Sequence, residues 1–306
     1  YYSIEKEAPM TFSPDAEYPL VNTEKGRFPG HFTAGFEASD ALPRLVSIKA
    51  GTKVNVVPGK AKAAVEGFEM AALEKAAAET KEETGISFEF AAEGTVTEIT
   101  ATGIGAHAST PDVGNNALTG LLVFLGKLDF ASCPQVDMVR KTASLFPHGD
   151  VNGKTLGVAM EDELSGNLTL SFNMLTVDAA SMDGEFDGRI PVCGNDENVL
   201  EVVRARMTEQ GLTLLNKALI PPHHVSADSD FVKTLLAAFE LYTGRKGECQ
   251  ALGGGTYVHH LENGVAFGAA MPETDNKMHG PDEFAVVDEL LVSAKIFAQA
   301  IADLCG

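Results

Sequence analysis

Apolar and polar positions change period several times along the chain, and each change predicts a different element. YPLVNTE (18–24) reads as a short apolar strand among the turn formers Pro9, Pro14, Pro19, Gly26, Pro29 and Gly30. Strand-like patches follow at LVSIKAG (45–51) and KVNVVPG (53–59), the second ending on Pro58-Gly59. The Ala, Glu and Lys-rich run 61–84 predicts a helix closed by Gly85. Alternation over 86–109 predicts a hairpin with Gly94 near its turn, and 115–130 predicts a helix with Asn115 or Asn116 near its start.

The second half repeats the theme. NLTLSFNMLTVDAA (167–180) and GEFDGRIPV (184–192) read as antiparallel strands, and 197–214 as a helix. Residues 31–210 thus run through strand and helix material twice, which predicts two similar α+β halves side by side. After Pro221-Pro222 the style changes to a capped amphipathic helix (228–244), a strand breaking on three glycines (248–261) and a terminal helix (287–306). That alternation predicts an α/β layer. The simplest domain arrangement joins residues 1–28 and 222–306, with 29–221 inserted between them.

Composition narrows the function classes. The chain has 306 residues, 44% of them hydrophobic and 22% charged, enough to bury a core. The net charge of −20 argues against nucleic acid or an anionic membrane surface as partner. There is no apolar run of membrane-spanning length. The four cysteines, Cys133, Cys193, Cys249 and Cys305, form no Cys-x-x-Cys pair, which predicts free thiols and a cytoplasmic location. Neither G-x-S-x-G nor H-E-x-x-H occurs, so a serine-hydrolase elbow and a zincin helix are both unsupported.

Several residues have the chemistry of a site. Asp15, held after Pro14, suits a metal-binding carboxylate, although Pro-Asp taken alone is usually a turn. His107 sits on a small-residue loop, GIGAHASTPDVGNNA, from which an imidazole could donate to an oxyanion or simply pack. His279 precedes the rigid Gly280-Pro281 turn and has the chemistry of a zinc ligand. The consecutive glycines of LGGGTY (252–257) expose amides suited to a carboxylate or phosphate, or form a flexible turn. In the pairs His223-His224 and His259-His260, neighbours on a strand point to opposite faces, so both pairs read as structural or surface histidines.

In order along the chain, SPDAEYPL with EKG, KVNVVPGKA, GIGAHASTPDVGNNA, GRIPV, LGGGTY and MHGPDE resemble the PepV-type dipeptidases. Those are zinc metallopeptidases of the aminoacylase/ArgE/DapE/carboxypeptidase-G group. The resemblance implies an α/β zinc-peptidase catalytic domain, here partial, interrupted by an α+β lid of two ferredoxin-like halves. It implies hydrolysis of dipeptides with free ends by a water activated on two zinc ions, in a monomeric enzyme. It assigns Asp15 and His279 as metal ligands and His107 as the lid histidine that stabilises the oxyanion. Asn55 and Arg189 become lid residues that contact substrate, and Gly254, Gly255 and Thr256 the loop that receives the substrate carboxylate.

The resemblance also implies features that lie upstream of Asp15 in that family: a zinc histidine, a bridging aspartate and a Glu-Glu pair. The pair Glu82-Glu83 follows Asp15, in the lid helix, and does not take that place. The expectation is a chain that lacks its N-terminal segment, binds zinc poorly and is inactive by itself unless that segment stays associated. Val258-His259 stands where relatives often carry Ala-Arg, so the substrate-end contact is expected to differ. Two other readings remain open at this point: a related hydrolase of N-acyl amino acids, and a non-catalytic binding module.

Overall fold

A computed structural model of the chain describes residues 4–277 and 281–306. In chain order its first elements are β1 (Thr11–Ser13), β2 (Ala16–Glu17), β3 (Leu20–Glu24), β4 (Gly26–Gly35), β5 (Arg44–Ala50), β6 (Val56–Val57) and β7 (Lys60–Glu66). Then come α1 (Met70–Thr84), β8 (Ser87–Glu93), β9 (Val96–Thr102), β10 (Ala106–His107), α2 (Ala117–Gly126) and α3 (Pro134–Leu145). These are followed by β11 (Glu161–Asp162), β12 (Gly166–Asn167), β13 (Thr169–Val177), β14 (Ser181–Ile190), α4 (Glu201–Glu209), β15 (Thr213–Leu214) and β16 (His223–His224). The chain closes with α5 (Asp230–Thr243), β17 (Cys249–Leu252), β18 (Gly264–Ala266), β19 (Ala269–Ala270) and α6 (Val287–Cys305).

The chain divides into two units. One is built from residues 1–26, 162–166 and 221–306, the other from 27–161 and 167–220. In the first, strands lie in the order β1-β18-β3-β16, with β17 also pairing β3. β3 is buried at every position, as a strand with partners along both edges should be. Its core packs Tyr18, Leu20, Val265 and Phe267 against Phe231, Leu235 and Phe239 of α5 and Ile296 of α6. Tyr18 and Phe267 meet edge to face at 5.2 Å, a favoured aromatic geometry.

The second unit is built on an eight-stranded sheet, β15-β4-β14-β13-β5-β7-β9-β8. Residues of α1, α2, α3 and α4 share one core with it, in which Phe28, Phe32, Phe146, Phe172 and Phe186 are central. The chain supplies this sheet as two sets of four. β5, β7, β8 and β9 with α1 and α2 make one end, and β4, β13, β14 and β15 with α3 and α4 make the other.

The expected helix over 61–84 is two elements. Residues 60–66 form β7, in which Ala61, Ala63 and Val65 turn inward at every second position. Gly67 then takes φ +83° and separates the strand from α1, which starts at Met70. Alanine suits a helix by propensity, but a period of two in a half-buried sheet outweighs it. Residues 26–35, which carry the Pro29-Gly30 turn signal, are strand β4. Pro29 is tolerated because the edge beside it is bonded by a side chain, Asn216, which donates to the Pro29 carbonyl and accepts from the His31 amide, so no ladder bond calls for an N–H at the proline. Gly30 is required, because a Cβ there would lie 2.0 Å from the Phe186 ring.

Candidate functional site

Three of the expected residues lie in the second unit, and two of them, Asn55 and His107, are brought together there. β6 and β10 pair so that His107 lies opposite Val56, and the Ala108 amide donates to the Asn55 carbonyl at 3.0 Å. The Asn55 loop is tied in turn to the central sheet. Asn173 of β13, fully buried, donates from Nδ2 to the Val54 carbonyl at 2.5 Å.

His107 is exposed on its small-residue loop. The Ser109 amide donates to its Nδ1 at 3.2 Å, and the Ser109 hydroxyl lies 2.6 Å from the same nitrogen. A backbone N–H can only donate, so Nδ1 accepts and the neutral ring carries its proton on Nε2. The loop therefore presents an imidazole whose outer nitrogen is a hydrogen-bond donor.

Arg189 is placed by β14. Residues 187 and 189 share one face of the strand, and Asp187 grips the guanidinium from Nε at 2.6 Å and Nη2 at 3.1 Å. Both side chains are about 95% buried, with 5% and 6% exposure. Burial pushes the Asp187 carboxyl up. Arg189 offsets this in part, with weaker pulls from His107 and Arg27. Sequence reasoning singled out Arg189 but passed over Asp187 two residues earlier.

The first unit holds the glycine loop. Residues 253–256 follow β17, whose Leu252 stands opposite Glu24 of β3. Glu24 is buried, and its Oε1 accepts from the Thr256 hydroxyl at 2.6 Å and the Thr256 amide at 3.1 Å. Its Oε2 meets Nδ1 of His259 at 2.7 Å. Burial alone would raise the Glu24 carboxyl, but the hydrogen bonds from His259 and Thr256 hold it below its ordinary value. The sequence signal for Glu24 was available: a carboxylate inside an otherwise apolar strand needs a buried partner.

The histidine pairs behave differently from one another. On β16, His223 reaches the Gly264 carbonyl from Nε2 at 2.7 Å, and His224 Nδ1 meets the Thr23 hydroxyl at 2.9 Å. His259 and His260 lie in a turn rather than a strand, with His259 buried and His260 exposed.

Asp15 stands exposed at the bend between β1 and β2. His279 lies outside the described residues. Among the described residues, no three His, Cys, Asp or Glu side chains converge as a metal site. Of the two zinc ligands that the sequence resemblance implies, Asp15 alone is among the described residues. No described helix is long and apolar enough to cross a membrane.

No family model matches the chain. Whole-length similarity to individual proteins is clear. A putative dipeptidase, YtjP, of Bacillus subtilis is 34% identical over 311 residues, covering 99% of this chain. The Beta-Ala-Xaa dipeptidase of Lactobacillus delbrueckii subsp. lactis is 32% identical over 306 residues, again covering 99% of this chain. The chain is thus similar, along nearly all of its own length, to two bacterial proteins that carry dipeptidase names. It spans 65% and 64% of the lengths of those two relatives, less than two thirds of each. Among solved structures, the aminoacylhistidine dipeptidase of Vibrio alginolyticus superposes with a TM-score of 0.53 at 12% identity. That match covers 98% of this chain and 67% of the Vibrio chain, and it speaks to the fold.

Proposed function

We propose that this protein is a dipeptidase, of the PepV type by its motifs, hydrolysing dipeptides with free amino and carboxyl ends. The observation that carries the reading is similarity to proteins named dipeptidases across 99% of the chain. The local geometry supports it. His107, with Nδ1 held as an acceptor by Ser109, donates from Nε2 to the oxyanion that develops on the scissile carbonyl. Arg189, oriented by Asp187, and Asn55, whose loop is bonded to Ala108, contact the substrate. Gly254, Gly255 and Thr256 receive the substrate carboxylate on a run of backbone amides. Asp15 and His279 as zinc ligands rest on the sequence resemblance alone.

The test is hydrolysis of a dipeptide series by the whole protein and its His107→Ala variant. Loss of one oxyanion donor is expected to lower kcat about 100- to 1,000-fold with little change in KM. Hydrolysis of N-acyl amino acids but not of dipeptides with a free α-amine would overturn the substrate class. A His107→Ala variant with unchanged kcat would overturn the assignment of the donor.

A further inference from the structure

Beneath the glycine loop lies a pair of ionisable side chains that the proposed chemistry does not use. Glu24 and His259 have side chains 1% and 3% exposed. The imidazole sits between two acceptors: Nδ1 is 2.7 Å from Glu24 Oε2, and Nε2 is 2.8 Å from the Pro221 carbonyl. A carbonyl oxygen only accepts, so Nε2 carries a proton. Glu24 takes two further hydrogen bonds, from the Thr256 amide and hydroxyl, and a carboxylate receiving that many donors stays ionised. The nitrogen facing an ionised oxygen must itself donate. Both ring nitrogens are then protonated, and the pair is an imidazolium locked on a carboxylate.

Other titratable groups lie close by. His223 lies 6.2 Å away and donates to the Gly264 carbonyl. His260 lies edge-on at 5.2 Å. His224 is bonded to Thr23 on β3. Burial holds the ammonium of Lys25, which follows β3, below its ordinary value, with Asp162 pulling the other way. Among the described residues, the carboxylate bonded to the His259 ring is Glu24.

The pair also lies directly under the loop. A Cβ built on Gly255 would stand 3.5 Å from His259 Nδ1 and 3.7 Å from Glu24 Oε2. Thr256, the last residue of the loop, is bonded to Glu24 through both its amide and its hydroxyl.

We propose that Glu24 and His259 are positioning residues for the glycine loop, a buried carboxylate–imidazolium pair that fixes Gly255 and Thr256 in the conformation that holds a substrate carboxylate. The proposal rests on the reading that this loop receives that carboxylate. Neither residue touches substrate. Their effect falls on binding of the carboxylate end, and it separates from the role of His107 at the reacting carbonyl.

The experiment has two arms on the whole protein. The first records the ring nitrogens of His259 by 15N NMR near neutral pH and expects both to be protonated; a neutral ring would overturn the pair, whatever the activity. The second compares wild type with Glu24→Gln for a dipeptide and for the same dipeptide amidated at its C-terminus. Losing a charge-assisted anchor of the loop should raise KM for the free dipeptide about tenfold or more, with kcat nearly unchanged. Preference for the free carboxylate over the amide should fall with it, which a merely structural role would not produce. A folded Glu24→Gln protein with wild-type KM and wild-type preference would overturn the positioning role. If Glu24→Gln does not fold, His259→Gln is read by the same KM ratio. If the wild type cleaves no dipeptide, the dipeptidase reading fails, and the ring spectrum still decides the pair.

Discussion

At the scale of single residues, the buried charges are the most informative. Asp187 and Arg189 are held by two hydrogen bonds, at 2.6 and 3.1 Å, inside the second unit. Removing one partner of such a pair strands the other charge away from water. Asp187→Asn is therefore expected to cost about 3–5 kcal/mol of stability, measured by urea unfolding. Pairing it with Arg189→Gln should recover part of the loss, because neither charge is then stranded. A loss below about 1 kcal/mol in the single variant would show that water reaches the guanidinium. Arg189 was legible in the sequence through its motif. Asp187 was not, because nothing in FDGRIPV says that the carboxyl and the guanidinium share a dry face.

At the scale of elements, local chemistry decided much of the outcome. α2 starts where its cap says it should: Asn116 accepts from the Leu118 and Thr119 amides at 2.9 and 3.2 Å. The same side chain donates from Nδ2 to the Phe172 carbonyl at 2.8 Å, tying the helix start to β13. Asn116→Ala loses both roles, and a drop of about 1–2 kcal/mol in thermal or urea unfolding is expected. Asn116→Asp keeps the cap and loses the donor, so it should fall between the two. α3 escaped sequence reading although Pro134 stands at its first turn. Its buried positions include Gln135 and Thr142, so the apolar stripe that announces a helix is broken. β7 and β4 went the other way. Ala-rich and Pro-Gly sequence signalled helix and turn, and the pleat of a large sheet made both into strand.

At the scale of the whole molecule, charge is the dominant global property. Asp and Glu outnumber Lys and Arg by 43 to 23. Self-repulsion of that size is screened by salt, so raising NaCl from about 10 mM to about 500 mM should raise the Tm by a few degrees. A flat or falling Tm over that range would mean that local ion pairs outweigh the net charge. The same field should keep the chain off duplex DNA at physiological salt, which fluorescence anisotropy would show as no binding.

What the sequence determined by itself was local. The β8–β9 hairpin, α2, α5 and α6 follow from period, caps and turn glycines within about twenty residues, which is the range over which such signals act. The motifs holding Asn55, His107, Arg189 and Gly254–Thr256 were equally local, since each is a short run with its own composition. Only the tertiary structure decided which distant residues meet. Glu24 and His259 are 235 positions apart, and Asn173 reaches a carbonyl 119 positions away. Their partners are set when the strands of each unit close around a core. The free energy of a buried polar group depends on whether a partner is there, and chain order does not encode that.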